Sequence, residues 1–264
     1  MSIGNGSPLP LQALGIVKAF GHVQALAGVD LEVGPHEVVA LVGDNGAGKS
    51  TLIKCISGVY RPDAGEISVG GVARTFKTPA DAAAAGLATV YQDLALVDTR
   101  DVASNIFLGR EFTRGPFIDY RRGRREAETV IRRLSATIPS VRSNVGMLSG
   151  GQRQAVAIAR ALVQGAHLVI LDEPTAALGV VEAERVLRLI EELREQGSSV
   201  LLVSHNLEHV LRVADRITVI QRGRSVGTLA RADATVERIV HLIVAGTVAQ
   251  QMSAMSPEAP QKEL

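Results

Sequence analysis

One cysteine, Cys55, stands among 264 residues. No internal disulfide can form, and the lone thiol reads as a small buried apolar residue in a reducing compartment. Tryptophan is absent and aromatics make up only 3% of the chain, which argues against a surface that stacks nucleic-acid bases. Neither sign of charge dominates, since the net is +1, so no general field is present to hold a polyanion. No apolar run approaches the ~18 residues of a membrane helix. The opening MSIGNGSPLP has neither the basic start nor the apolar centre of a secretory signal. These absences predict a soluble cytosolic protein with no nucleic-acid partner.

What is present is aliphatic. Hydrophobic residues make up 46% of the chain and charged ones 21%, enough for a large core. Five short runs stand out: EVVALVG (37–43), GLATVYQ (86–92), HLVILDE (167–173), SVLLVSH (199–205) and DRITVIQRG (215–223). Runs this short and rich in Val and Ile predict strands buried on both faces. Helical patterns lie between several of them. KSTLIKCISG stops at Gly58, and VEAERVLRLIEELREQG sets Val186, Leu187, Leu189, Ile190 and Leu193 on one side. Alternation of this kind predicts an α/β fold with a mostly parallel sheet. Residues 11–37 and 65–78 read instead as short antiparallel strands in a separate layer, and 93–165 as mainly helical. Within that helical stretch, Ala127, Val130, Ile131 and Leu134 make YRRGRREAETVIRRL an amphipathic helix with its arginines in solvent.

The first four strands end in Gly43 with its loop, Gln92, Asp172–Glu173 and His205. Ligands of open α/β sheets sit at the carboxyl ends of strands, so these ends predict a single site. Gly43 to Ser50 fits G-x-x-x-x-G-K-[ST] between a strand and a helix. The glycines let the amides of Gly43, Asn45, Gly46, Ala47 and Gly48 wrap a phosphate chain without Cβ clashes, and the helix N-terminus adds positive charge. Lys49 neutralises the β- and γ-phosphates, and Ser50, followed by Thr51, offers an oxygen to Mg²⁺. Asp44 belongs to the loop, but its carboxylate should point away from the nucleotide. Asp172 is placed to hold Mg²⁺ and Glu173 to polarise the attacking water. Gln92 can bridge metal and water, and His205 can contact the γ-phosphate. A second anion-binding helix start lies at LSGGQRQAVAIARAL, with Ser149 as N-cap, Gly150 and Gly151 exposing amides, and Gln152 after them. His205 to His209 also fits H-x-x-E-H, but the first histidine closes a strand, which that zinc motif does not allow.

Taken together, GDNGAGKST, Gln92, LSGGQ, LVILDEPTAAL and His205 resemble the nucleotide-binding cassette of ABC transporters over about residues 11–245. The resemblance implies one ABC ATPase domain over 11–246, with a P-loop NTPase core (11–92 and 166–246), an antiparallel β layer and a helical subdomain (93–165), between flexible termini at 1–10 and 247–264. It implies ATP and Mg²⁺ as cofactors, and Phe20 as the residue that stacks on adenine. It also implies two cassettes paired head to tail, as a homodimer or with a sister subunit, each LSGGQ capping ATP on the other's loop. Family cassettes usually read SALD after the catalytic glutamate; here the sequence is AALG, with Gly179 at the acidic position.

Within the family, GDNGAGKSTLIKCISGVYRPDAGEI and LDEPTAALGV are most similar to monosaccharide importers of the ribose, xylose and fructose type. That similarity implies an integral membrane permease as partner, docked beside Gln92 on a set drawn from Leu94, Leu96, Val97, Ile106, Phe107 and Leu108. A periplasmic solute-binding protein would act through the permease. The cassette would then lie in the cytoplasm, peripheral on the inner face of the membrane. A transporter of amino acids or lipids, and a soluble ABC ATPase acting on nucleic acid, are the alternatives.

Overall fold

The computed structural model describes residues 8–244; of the termini expected at 1–10 and 247–264, residues 1–7 and 247–264 lie outside the described residues. The five apolar runs form β3 (Val38–Val42), β6 (Leu87–Val90), β9 (Leu168–Asp172), β10 (Ser199–Val203) and β11 (Arg216–Gln221). They lie side by side in one sheet of order β12-β11-β3-β10-β9-β6, parallel throughout except for β12 (Arg224–Ala230), which pairs antiparallel to β11. Arg222 and Gly223, both at positive φ, close that last hairpin in two residues.

Every residue of β3 and β10 is buried, because the sheet divides two cores. Val38, Ala40 and Val42 point into one, and Val39 and Leu41 into the other. The two-residue period of a strand thus feeds both faces. The first core is filled by helices α5 (Gly150–Val163), α6 (Val180–Glu195) and α7 (Leu207–Val213), the second by α1 (Lys49–Ile56). Val186, Leu187, Leu189, Ile190 and Leu193 of α6 are all buried, so the expected helix face is the packed one. Each side chain of this kind contributes about 1.5–3 kcal/mol on full burial.

A second sheet has the order β2-β1-β4-β5 and pairs antiparallel throughout: β1 (Leu11–Phe20), β2 (Val23–Val33), β4 (Ala64–Val69) and β5 (Val72–Arg74). Its inner residues, among them Leu11, Ile16, Leu26, Val29 and Ile67, share the second core with α1. Cys55 of α1 is buried there, and burial pushes its thiol up to about 11. The first turn of α2 (Pro79–Ala84) follows from sequence alone. Thr78 caps it, Asp81 returns the bond to the Thr78 amide, and Pro79 fills a position that needs no N–H.

Residues 93–165 carry α3 (Val102–Ile106), α4 (Tyr120–Arg133) and α5, but also a small hairpin, β7 (Thr113–Arg114) with β8 (Phe117–Ile118). The expectation of a mainly helical stretch missed it. Gly115, at φ +61, and Pro116, which cannot donate to a helix, break the helical register between them. In α4, Ala127 and Ile131 are buried and Leu134 follows them into the core, while Val130 packs at its margin.

Candidate nucleotide site

Strands β3, β10, β9 and β6 are neighbours, so their carboxyl ends open along one edge of the sheet. The loops that leave them meet in a cleft lined by Asn45, Gly46, Gly48, Lys49, Ser50, Thr51, Gln92, Asp172, Glu173 and His205. The four strand ends read from the sequence therefore come together. Ala25, Ala176 and Val203 line the same cleft; as small or apolar side chains they carried no signal that could have marked them beforehand.

The loop owes its path to glycine at two points. A Cβ on Gly43 would lie 2.1 Å from the Ile220 carbonyl oxygen of β11. At Gly48, where φ is +110, a Cβ would meet the Ala25 oxygen at 2.8 Å and Leu26 Cδ2 at 2.9 Å. Any side chain would push the loop off the strands it passes. The loop is also tied down, since Gly223 donates to the Ala47 carbonyl at 2.8 Å and Ala27 donates to the Gly223 carbonyl at 2.7 Å. Ala47 itself is buried against the second core, so it serves the loop from behind. Helix α1 begins at Gly48 with no side-chain cap and no acidic residue in its first turn. Its amide end therefore faces the cleft with its partial positive charge unmatched, which suits an anion.

Lys49 is almost wholly buried, and its Nζ donates to the carbonyls of Gly43 at 2.7 Å and Asp44 at 3.0 Å. Burial holds the ammonium below its ordinary pKa, while Glu173, Asp44 and Asp172 pull it upward. Asp172 is shifted the other way: burial raises its carboxyl first and the adjoining Glu173 charge second. Two carboxylates and an uncapped helix start in one cleft suit a cation bound together with a polyanion. Asp44 stands outside the lining of this cleft and on an adjoining one, with Asn45, His205, Leu207 and Ile243.

Glu173 sits at φ +50, a conformation that costs about 1–3 kcal/mol for a residue of this kind. Its amide donates to the Val203 carbonyl at 2.9 Å, which locks the end of β9 to the end of β10. The strained turn sends the side chain into the cleft, with Oε2 lying 2.9 Å from His205 Nδ1. The contact has the length of an ion pair, but the imidazole is not aimed along it, and that buried oxygen has no well-directed donor. His209 faces elsewhere, with Nδ1 3.1 Å from Thr175 Oγ1, so the two histidines do not converge on one point. Gln92 is exposed at the cleft rim. Beside it, the Tyr91 hydroxyl lies 2.9 Å from Ser57 Oγ just past the end of α1. That tie joins the Gln92 loop to the phosphate-loop helix across 34 residues of chain, a separation that no local pattern reveals.

Two groups of expected residues lie outside the cleft. Phe20 is 43% exposed at the tip of the β1–β2 hairpin, edge-on to Tyr60 with ring centres 5.1 Å apart. Residues 149–152 are elsewhere: Gly151 and Gln152 line another groove beside α6, and Gly150 lies against Leu178. Ser149 holds the N-cap position of α5 and forms a capping box with Gln152. Its amide donates to Gln152 Oε1 at 3.0 Å, Gln152 Nε2 donates to the Thr137 carbonyl at 2.8 Å, and Ser149 Oγ is buried. A Cβ on Gly150 would lie 2.4 Å from Leu178 Cδ2, the movable tip of that side chain. Gly179 is the N-cap of α6 with open space around it and no side-chain bond to the helix.

A family model described as ABC transporter matches residues 26–176. The chain is 45% identical over 233 residues to a xylose/arabinose import ATP-binding protein of Sulfolobus acidocaldarius, a match covering 88% of this chain and 93% of that one. It is 44% identical over 238 residues to a fructose import ATP-binding protein of Rhizobium meliloti, covering 87% and 92%. Against a ribose import ATP-binding protein of Chelativorans sp., identity is 45% over 234 residues, 89% of this chain but 46% of that longer protein. Among solved structures, a nucleotide-free ATP-binding cassette from an ABC transporter superposes with a TM-score of 0.76 at 26% identity, covering 93% of this chain and 98% of that one. The ADP conformation of MJ1267, another such cassette, gives 0.76 at 26%, covering 94% and 99%. Phosphate loop, paired carboxylates and histidine stand at consecutive strand ends, the LSGGQ helix stands apart from them, and the chain belongs to the ABC transporter family as one of its ATPase cassettes.

Proposed function

We propose that this chain is the ATP-hydrolysing subunit of an importer for a monosaccharide, working through a partner permease. One observation carries the reading: the cleft gathers everything needed to hold and attack a triphosphate on one side, while Ser149 to Gln152 stand outside it. A second cassette turned head to tail would bring the start of α5 against the phosphates held in the first one's cleft. In that pair, amides 45–51 and Lys49 hold the phosphates and Phe20 stacks on adenine. Ser50, Gln92 and Asp172 would hold Mg²⁺, whose chemistry is to neutralise charge on the β- and γ-phosphates. Glu173 takes the proton of the attacking water, and His205 steadies both Glu173 and the γ-phosphate. Residues 93–165 act as the helical subdomain that presents LSGGQ to the other copy.

The permease surface is narrower than the sequence implied. Ile106 and Phe107 are buried in the first core, and Leu94 and Leu96 pack at its margin, leaving Val97 and Leu108 exposed. A short helix of the permease set against them would place the cassette on the cytoplasmic face of the membrane, with a periplasmic solute-binding protein delivering the sugar. The sugar class follows the names of the relatives above. The test is ATP hydrolysis by the cassette reconstituted with permease and binding protein. A pentose or hexose should stimulate turnover, and Val97→Glu should abolish the stimulation without altering ATP affinity. Stimulation by an amino acid alone would contradict the sugar assignment, and stimulation by no solute would contradict transport.

A further inference from the structure

We propose that the β7–β8 hairpin and the start of α4 form a membrane-surface contact that binds anionic lipid headgroups directly. Phe117 is 75% exposed, Ile118 41% and Tyr120 52%, three large apolar or amphipathic side chains gathered on one short stretch. The hairpin that carries them is fixed. Thr113 pairs with Ile118 and Arg114 with Phe117, Gly115–Pro116 closes the turn, and Asp119 donates to the Phe112 carbonyl at 2.7 Å. Phe112 anchors the base, edge-on to Phe107 at 4.9 Å with the Arg122 guanidinium 4.5 Å above its ring. A prearranged hairpin loses little freedom when it docks.

Charge selects the partner. Residues 110–125 hold six arginines against Glu111 and Asp119, four net positive charges in a chain whose whole charge is +1. Arg114, Arg121 and Arg125 are exposed, and none of them forms a salt bridge among the described residues. Cytoplasmic loops of membrane proteins are themselves rich in Lys and Arg, so a permease loop would be repelled here. A nucleic-acid duplex, its bases already stacked, would use the arginines but not Phe117 and Ile118. Aromatic and aliphatic side chains framed by arginine match the boundary between headgroup and acyl chain, where each basic residue strengthens binding by about fivefold. This contact goes beyond the transport reading and does not depend on it.

The test uses the full chain without permease, in flotation with vesicles of phosphatidylcholine plus phosphatidylglycerol and with phosphatidylcholine alone. The chain should float with the anionic vesicles only, and the binding should fade as salt is raised. Phe117→Ser should weaken it by about tenfold, and Arg114→Ser with Arg121→Ser by about 25-fold at low salt. Both variants should keep wild-type melting curves and ATP turnover, since neither touches the cleft. No flotation with anionic vesicles, or flotation that Phe117→Ser leaves unchanged, would overturn the proposal. So would tighter binding of duplex DNA than of the vesicles, which would assign the arginines to a polyanion.

Discussion

Replacing Glu173 with glutamine should cut ATP turnover by about a thousandfold, or roughly 4 kcal/mol in the barrier, while Mg-ATP binds as tightly as before. The change removes a proton acceptor and little else. Glutamine is isosteric, takes the same amide bond to the Val203 carbonyl, and keeps an oxygen or nitrogen near His205 Nδ1. The buried oxygen without a well-directed donor is the atom that should bond the water, so its basicity is the property under test. A variant that binds but does not hydrolyse should also collect as a nucleotide-bound pair of cassettes, visible as a doubled mass when ATP is present. Turnover near the wild-type rate would remove Glu173 from the proposed role.

Lys49→Ala should act one step earlier and weaken ATP itself. Two functions are lost together. The ammonium no longer meets the phosphates, and the carbonyls of Gly43 and Asp44 lose the cation that gathers them at 2.7 and 3.0 Å. Charge-assisted bonds of this kind contribute about 1.5–3 kcal/mol each, so loss of one to the phosphates should weaken affinity by roughly 10- to 150-fold. Lys49→Arg should not restore it, because the buried space under the loop is shaped for a compact ammonium. A direct titration with unchanged affinity would contradict the assignment.

Much of this was legible in the residues. The aliphatic runs of β3, β9 and β10 could only be strands covered on both faces, and their polar last residues had to meet once those strands lay side by side. What local pattern could not supply were effects of contact. Gly43 is glycine because Ile220, 177 positions away in the chain, passes within reach of its missing Cβ. Ser149 is the N-cap that its residue type suggests, but the bond from Gln152 to the Thr137 carbonyl, 15 residues away, is a contact that no local pattern shows. Ile106 and Phe107 belonged by composition to a possible docking face, and only packing decided that they face inward. The left-handed turn at Glu173 is likewise a product of the strand pairing around it, since glutamate has no preference for it.

The central claim is that one chain holds an incomplete site and a second cassette completes it. The measurement that tests this most directly is the rate of ATP hydrolysis by the isolated chain against its own concentration, from the dilute range upward. Hydrolysis should rise faster than linearly while monomers pair, and Ser149→Arg should abolish it without weakening ATP binding to the monomer. Strictly proportional activity, at concentrations where the protein is monomeric by mass, would mean that a single chain completes its own site.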